Sequence, residues 1–588
     1  MTEYLFSISV GPVQEFIAAA RRTADLQAGS QLLQKMARYI AEQIDARGGQ
    51  LIFPASKDTP GPNKVVAQIA TDDPAKLAEE LREATVQWLY AQWQSVQQQL
   101  SVPIDAHLAE EQVKNFLEFY TAWVPCNGDY VQEREQVELL LAGRKALRDF
   151  RQVPPRPGRW KSPLDPSRDC VLQLSGTQIP AQAEGPPLYL KRTEFLDAIS
   201  IMKRVQGANQ QGKKVPSTSR MAAEAILPIA RRNKPHAVEE LESIAENAPG
   251  ALDIGDLMFP TRVQEEIETA DKHLREYLQA RLDIIDNLRR EILSSLTPAL
   301  HECPSYYAIL VADGDRMGRL IRKQKTPDDH RRLSEKLAHF AQEVERIVEA
   351  HNGYLVYAGG DDLLAMLPVN TVLSCANELA KTFSQQIEGG TLSAGVSIVH
   401  RMEMLQDALQ WAREAEHHAK TCRDALAVAL HTRGGAPVTV VTSREKDSNM
   451  ESWTRREKDS NMESWTRWIK AFRQGLTHGF PYELLYLARE AENANLSIPS
   501  VHAEAMRIFE RKQHRETDAH SGTIRQWLED ELKAIKTADH LRRLTGAEPA
   551  RCSPELNAIA AADHLRRFAQ RLIIARFLAG YPNGEVHV

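Results

Sequence analysis

The six cysteines of this chain, Cys126, Cys170, Cys303, Cys375, Cys422 and Cys552, include no Cys-x-x-Cys pair. A structural zinc held by thiolates draws on such pairs, so no zinc is expected. Few and scattered thiols also suit a reducing compartment, and a cytoplasmic location is expected. No apolar run approaches the ~20 residues that a bilayer-crossing helix takes, and the opening Met1-Thr2-Glu3 lacks the basic region of a secretory signal. A membrane role is therefore not expected. Positive charge is not in excess either: 73 Lys and Arg stand against 79 Asp and Glu, a net charge of −6. A protein that grips nucleic acid unaided needs clustered cations. Any RNA is thus expected to be held mainly by partners. Local basic stretches remain at Lys203-Arg204, Lys213-Lys214, Arg220 and Arg231-Arg232-Asn233-Lys234; these are weighed as an RNA or subunit contact against ordinary solvated charge. The 588 residues are 43% hydrophobic and 26% charged, ordinary for a soluble chain of roughly three to five domains.

What the chain does carry is concentrated near its middle. Residues 354–367 form two apolar runs joined by Gly359-Gly360-Asp361-Asp362. Runs of this length and composition predict a β-hairpin with two carboxylates at its tip. Glycines permit a tight turn where a side chain would obstruct a phosphate, and aspartates supply the hard oxygen ligands that Mg²⁺ prefers. Gly and Asp are also the commonest turn formers, so a plain turn and a metal site are equally good readings of the tetrapeptide alone.

Upstream, the apolar run 306–312 ends in Asp313-Gly314-Asp315-Arg316-Met317-Gly318 and enters a helix-like segment. A strand that ends in carboxylates and turns into a helix can share metal with the hairpin and offer backbone N–H groups to a triphosphate. Helices are predicted over 328–350, 372–388 and 405–422, and a further strand over 390–399. The order is then β-α-β-β-α-β, the ferredoxin-like arrangement, which brings carboxylates of separate strands together. Lys420 falls on the last of these helices.

The set Asp313 to Gly318, Tyr357 to Asp362, Ser393 to His400 and the helix ending Ala419-Lys420 resembles the second palm domain of the large subunit of type III CRISPR effector complexes, Cmr (III-B) subtype. Ser7 to Ile17, Ala20 to Leu26 and Gly29-Ser30 resemble that family's first palm. The similarity spreads over residues 1–430 and is weak beyond. The resemblance implies an α+β chain: a degenerate first palm over 1–165, a helical linker over 166–300, the second palm over 301–435 and a helical bundle over 436–588. It implies a nucleotidyltransferase that joins ATP through 3′–5′ bonds into cyclic oligoadenylate once target RNA is bound. Asp313, Asp361 and Asp362 would be catalytic and hold two Mg²⁺ or Mn²⁺ ions, with Asp315 a ligand of one ion or a supporting group. Gly314, Asp315, Met317, Gly318, Gly359, Gly360, Ser393 and Lys420 would contact nucleotide, and Gly11, Gln14, Arg21 and Arg22 of the first palm would help hold the acceptor ATP. Other Cmr-type subunits, including a small helical subunit and the guide-end subunit, would be partners, along with guide and target RNA.

Departures from the family pattern narrow this. Many members carry an HD-type nuclease, yet no His-Asp dipeptide occurs in the chain; many carry a four-cysteine zinc ribbon between the palms. Neither is expected here. The strand at 50–55 leads to a turn without paired carboxylates, so the first palm is expected to bind but not catalyse. Gln27 stands where many relatives carry tryptophan. Two other function classes stay open: a catalytically weak scaffold of the same complex, and a stand-alone diguanylate-cyclase-like nucleotidyltransferase, though that class has Glu after Gly-Gly-Asp. Near the end, Arg444 to Arg455 is copied unchanged as Arg456 to Arg467, a recent duplication with no catalytic meaning expected.

Overall fold

The computed structural model describes residues 1–59, 63–147, 153–174, 176, 178–191, 193–208, 215–249, 252–270, 272–443, 461–512, 520–533 and 554–582. Helices are mixed with antiparallel sheet, and the chain divides into two compact units, Met1–Asp424 and Ala425–Glu585. Among the described residues no helix is long and apolar enough to cross a membrane.

The first unit contains two four-stranded arrangements. Strands β1 (Thr2–Gly11), β2 (Gln50–Phe53), β3 (Lys64–Thr71) and β4 (Glu118–Pro125) lie in the order β2-β3-β1-β4, and each neighbouring pair is antiparallel. Side chains of a strand alternate between faces. Phe6, Ile8 and Val10 of β1 accordingly enter one core with Leu33, Met36 and Ile40 of the helix Thr23–Ala46. Leu5 points the other way, toward Tyr130, Val137 and Leu141 of the helix Tyr130–Ala146. Both faces of this sheet are covered.

Strands β5 (Tyr306–Gly314), β6 (Tyr354–Gly359), β7 (Asp362–Pro368) and β8 (Leu392–His400) repeat the arrangement in the order β8-β5-β7-β6. The helix Pro327–Ala350 joins β5 to β6, and Val372–Gln386 joins β7 to β8. Thr326 caps the first of these: its side chain accepts from the Asp329 N–H at 3.1 Å while Asp329 accepts from the Thr326 N–H, and Pro327 occupies the first turn. Its buried stripe Leu333, Leu337, Phe340, Val344 and Ile347 has helical spacing. Phe340 meets Phe383 of the next helix edge to face, with ring centroids 4.9 Å apart.

The two sheets are tied together within this unit. His330 Nδ1 lies 2.7 Å from the Tyr130 hydroxyl and its ring stacks on Phe53, while Arg331 Nε donates to the Leu51 carbonyl at 3.0 Å. Between the sheets in sequence lie short helices from Ala198 to Ser294.

In the second unit β9 (Ala425–Leu430) and β10 (Val438–Ser443) form an antiparallel pair. The expected boundary at 435 falls inside this hairpin. Five described helices follow, Asn461–Arg473, Phe480–Asn493, Ile498–Lys512, Ser521–Lys533 and Pro554–Ala579, around buried Trp465, Trp468 and Phe568. Most of the duplicated stretch, residues 444–460, lies outside the described residues.

Candidate functional site

Strands β6 and β7 pair up to Gly359 opposite Asp362, leaving Gly360 and Asp361 as a two-residue turn. Gly360 has φ +75°, and an added Cβ there would meet nothing within 4 Å. Positive φ at the first central position alone is the type II′ geometry that matches the twist of a hairpin. At Gly359 an added Cβ would lie 1.9 Å from the Tyr357 hydroxyl oxygen, so a side chain there would have to displace the Tyr357 ring. The tip is therefore bare backbone followed by two adjacent carboxylates.

Strand β5 brings a third carboxylate alongside. Its ladder with β7 runs to Ala312 opposite Leu363, and the Gly314 N–H continues it by donating to the Asp361 carbonyl at 3.1 Å. That register sets Asp313 opposite Asp362. An added Cβ on Gly314 would lie 2.9 Å from the Asp361 Cβ and 2.8 Å from the Met317 Cγ. Glycine at this position lets the two strand ends close up.

The helix Leu405–Cys422 covers the same sheet. It approaches so closely at β8 that a Cβ on Gly395 would fall 2.0 Å from the Glu416 nitrogen and 2.5 Å from the Ala412 carbonyl oxygen. Arg413, Glu416 and Lys420 share one stripe of this helix by the three- and four-residue spacing. The Lys420 ammonium pairs with Asp313 and lies 3.3 Å from Glu416 Oε1. Burial lowers Lys420 to about 8, with Arg423 adding to the shift. Burial raises Glu416 to about 7, helped by the charges of Asp362 and Asp315.

Asp361 and Asp362 have no cationic side chain within ion-pair distance among the described residues. Burial pushes both carboxyls upward; the charge of Asp361 adds to the shift of Asp362, and the Arg413 guanidinium offsets part of it. Two hard, partly desolvated carboxylates without a counterion suit a divalent cation in donor type. The third donor is otherwise engaged: with Lys420 on Asp313, no group of three or more His, Cys, Asp or Glu among the described residues is arranged to hold a metal ion.

Comparison with known proteins bears on this geometry. Residues 306–427 match the Cas10/Cmr2 second palm domain and residues 5–136 match the Cmr2 N-terminal domain of CRISPR-associated proteins. The Cmr subunit Cmr2 of Pyrococcus furiosus is 34% identical over 205 residues, 29% of this chain and 24% of the relative. Two separate segments of the chain are thus similar to domains of Cas10/Cmr2 proteins. The Cmr2 subunit of Saccharolobus solfataricus is 31% identical over 127 residues, 22% of this chain and 10% of the relative. The matched stretches thus span a quarter or less of these two curated relatives. A chain of a type III-B Cmr-beta complex solved with cognate target RNA has a TM-score of 0.59 at 13% identity, covering 87% of this chain and 79% of that one. The apo state of Cmr-beta gives 0.60 at 13% identity, covering 88% and 78%. Those two structures speak for the family fold alone.

The other residues singled out from the sequence are placed less uniformly within this fold. Asp315 is buried with its carboxylate engaged by the protein: it accepts from Thr391 Oγ1 at 2.9 Å, Ser393 Oγ at 2.8 Å and the Asp424 N–H at 2.8 Å. Asp315 and Ser393 face each other, which stitches β5 to β8. Met317 opens a six-residue helix, Met317–Arg322, and a Cβ on Gly318 would meet only the Arg322 side chain at 3.8 Å. Gly11 ends β1 opposite Glu118, and Gln14 is exposed with its carbonyl accepting from Arg413 Nη2 at 3.2 Å.

Arg21 and Arg22 are turned elsewhere. The Arg22 guanidinium donates to the Tyr189 carbonyl, and burial together with Arg204 lowers it to about 10. Arg21 lies 3.4 Å from Glu194. Neither makes a recorded contact with the hairpin carboxylates.

The basic stretch at Lys203-Arg204 is corrected outright. Both side chains are buried, and Arg204 grips Asp25 through Nε at 2.8 Å and Nη2 at 2.9 Å. Arg220 and Arg231 both meet Glu242, at 3.4 and 2.9 Å, and Lys234 meets Glu291 at 3.0 Å. Arg220, Arg231 and Lys234 thus each have a carboxylate partner, while Arg232 and Lys234 stay exposed; Lys213 and Lys214 lie outside the described residues. Arg413 and Glu416 were not singled out from the sequence, although their spacing from Lys420 on a predicted helix was a usable signal.

Proposed function

We propose that this chain acts as the large palm subunit of a type III CRISPR complex of Cmr subtype, synthesising cyclic oligoadenylate from ATP when target RNA binds. The observation that carries the reading is the pair Asp361 and Asp362, adjacent, partly desolvated and without a paired cation at a bare Gly-Gly turn beside Asp313. The two sheets support a reading as ferredoxin-like palms, the first binding only and the second catalytic, within the domain division set out above. A cytoplasmic setting and contacts with Cmr-type subunits, guide RNA and target RNA belong to the same proposal.

Asp361, Asp362 and Asp313 would hold two Mg²⁺ or Mn²⁺ ions, which when bound supply Lewis-acid stabilisation of the attacking and leaving oxygens in phosphoryl transfer. Lys420 would exchange Asp313 for a phosphate oxygen, a partner of the same charge and hydrogen-bonding type. Gly318 and Gly360, where an added Cβ would meet little or nothing, would offer backbone to nucleotide phosphates, with Gly314, Met317 and Gly359 shaping the strand ends beside them, and Gly11 and Gln14 would face the acceptor ATP. Asp315 and Ser393 would hold the strand ends in register beside these groups. Arg21 and Arg22 would act at a distance, by fixing the start of the helix Thr23–Ala46.

One observation favours the scaffold reading instead. Lys420 occupies Asp313, and three carboxylates are not gathered for metal. Incubating the assembled complex, guide and complementary RNA with Mg²⁺ and either ATP or GTP separates the readings. Cyclic adenylate products that require the target RNA are expected; an assembled, RNA-bound complex without products would establish the scaffold, and products from GTP alone would establish a diguanylate-type enzyme.

A further inference from the structure

The short helix Gln14–Ala18 follows directly on β1 and has no side-chain cap of its own. Two distant parts of the chain hold it instead. At its start the Gln14 carbonyl accepts from Arg413 Nη2 at 3.2 Å. At its end Lys203, on the helix Ala198–Ala208, donates through Nζ to the Phe16 carbonyl at 2.8 Å and to the Ala19 carbonyl, with the ammonium 4.7 Å from the Phe16 ring centroid.

Lys203 is an unusual core residue. It is 1% exposed, and no carboxylate lies within ion-pair distance of it among the described residues. An ammonium desolvated without an ion-pair partner is costly, Asp25 and Asp197 offsetting only part of that from farther off, whereas methionine would fill similar volume at no electrostatic cost. Packing alone therefore does not account for lysine here. Its hydrogen bonds do: the last carbonyls of a helix are unsatisfied and carry partial negative charge. Gly29 makes room for the stem, since a Cβ there would come within 3.1 Å of Lys203 Cδ.

Arg413 is equally specific in its placement. Its guanidinium is half-buried, and Asp362 and Glu15 both act on it favourably against the cost of burial. One arginine thus feels a hairpin carboxylate and bonds the backbone of the first-palm segment.

We propose that Arg413 and Lys203 are positioning residues that fix the segment Gly11–Ala19 against the helix carrying Glu416 and Lys420, and so set ATP binding at that segment. This rests on the reading that the first palm contacts the acceptor nucleotide. The segment is held at both ends by cations from elsewhere in the chain, so neither end is free to drift when nucleotide arrives. Removing the Arg413 bond loosens one end while leaving the Asp313, Asp361 and Asp362 side chains in place, with less positive charge near Asp362.

The test uses the full chain in its assembled complex, with Mg–ATP binding measured by equilibrium dialysis. Two ATP per unmodified chain are expected. Arg413→Gln should weaken one of them by about tenfold or more, the scale of a lost charge-assisted hydrogen bond; Arg413→Lys should recover part of the loss, and Lys203→Met should reproduce it. Melting temperature should stay unchanged in Arg413→Gln, and Mn²⁺ binding at the hairpin should not fall, since the lost cation opposes metal at Asp362. Unaltered ATP binding in Arg413→Gln, fewer than two ATP on the unmodified chain, or a parallel fall in melting temperature and Mn²⁺ binding would each overturn the proposal. A complex that binds two ATP in this pattern yet forms no cyclic product would leave the positioning role standing and remove the synthetase reading.

Discussion

Lys420 is a single residue in a position to decide the state of the site. Its ammonium neutralises Asp313 and touches Glu416, while Asp361 and Asp362 have no cation within ion-pair distance among the described residues and feel Arg413 only in part. Removing that ammonium frees the third carboxylate for a divalent ion. Lys420→Met should therefore bind Mn²⁺ about fivefold more tightly in the absence of nucleotide, the scale of a partly exposed ion pair, while ATP affinity falls. Mn²⁺ titration followed by electron paramagnetic resonance checks the first effect, and equal Mn²⁺ affinity would show that the pair does not compete with metal. At this scale the sequence was informative about identity and silent about partners. Gly-Gly-Asp-Asp announces a turn with carboxylates, but Lys203-Arg204 reads as a basic stretch because nothing local reports that Asp25 waits at the other end of a long loop in sequence.

Elements place these residues, and two contacts between elements are open to direct test. The helix Leu405–Cys422 lies on β8 at Gly395, where a Cβ would collide with backbone atoms that cannot move independently. Gly395→Ala should cost about 3 kcal/mol, as overpacking of a tight contact does, read as a lower urea midpoint, and should displace Arg413, Glu416 and Lys420 together. His330 joins the helix Pro327–Ala350 to Tyr130 and Phe53 beside the first sheet. Burial, with Arg134 and Lys64 adding to it, lowers its pKa from 6.5 to about 4. The unfolded chain then binds the extra proton between those values, so stability is full above pH 6.5 and falls as pH drops toward 4. The loss is on the order of 3 kcal/mol, and His330→Gln should lack it when urea midpoints at pH 7.5 and pH 4.5 are compared. Helix Leu405–Cys422 and the strands of the second palm were legible because periodicity and turn chemistry agree there. The hairpin of β9 and β10 was not: Ala425 to Leu430 is uniformly small and apolar, and such a run fits a buried helix segment as well as a strand.

At the scale of the molecule, the first unit repeats one strand order twice and brings the two copies together through His330, Arg331 and Arg413. Only the second copy carries the paired carboxylates. Topology of this kind was readable because each copy announces its own strands and turns, whereas the contacts between copies involve residues hundreds of positions apart and leave no local pattern. The net charge of −6 and the carboxylate partners of Arg220, Arg231 and Lys234 agree with the proposal that other subunits would supply most of the hold on RNA. The central claim is that Asp361 and Asp362 make the second palm an ATP-joining centre. Its most direct measurement is product analysis with radiolabelled ATP, Mg²⁺, guide and target RNA, comparing the unmodified complex with one carrying Asp361→Asn and Asp362→Asn. Cyclic adenylates should form only in the unmodified complex, with assembly and RNA binding alike in both; the same products from both would contradict the account.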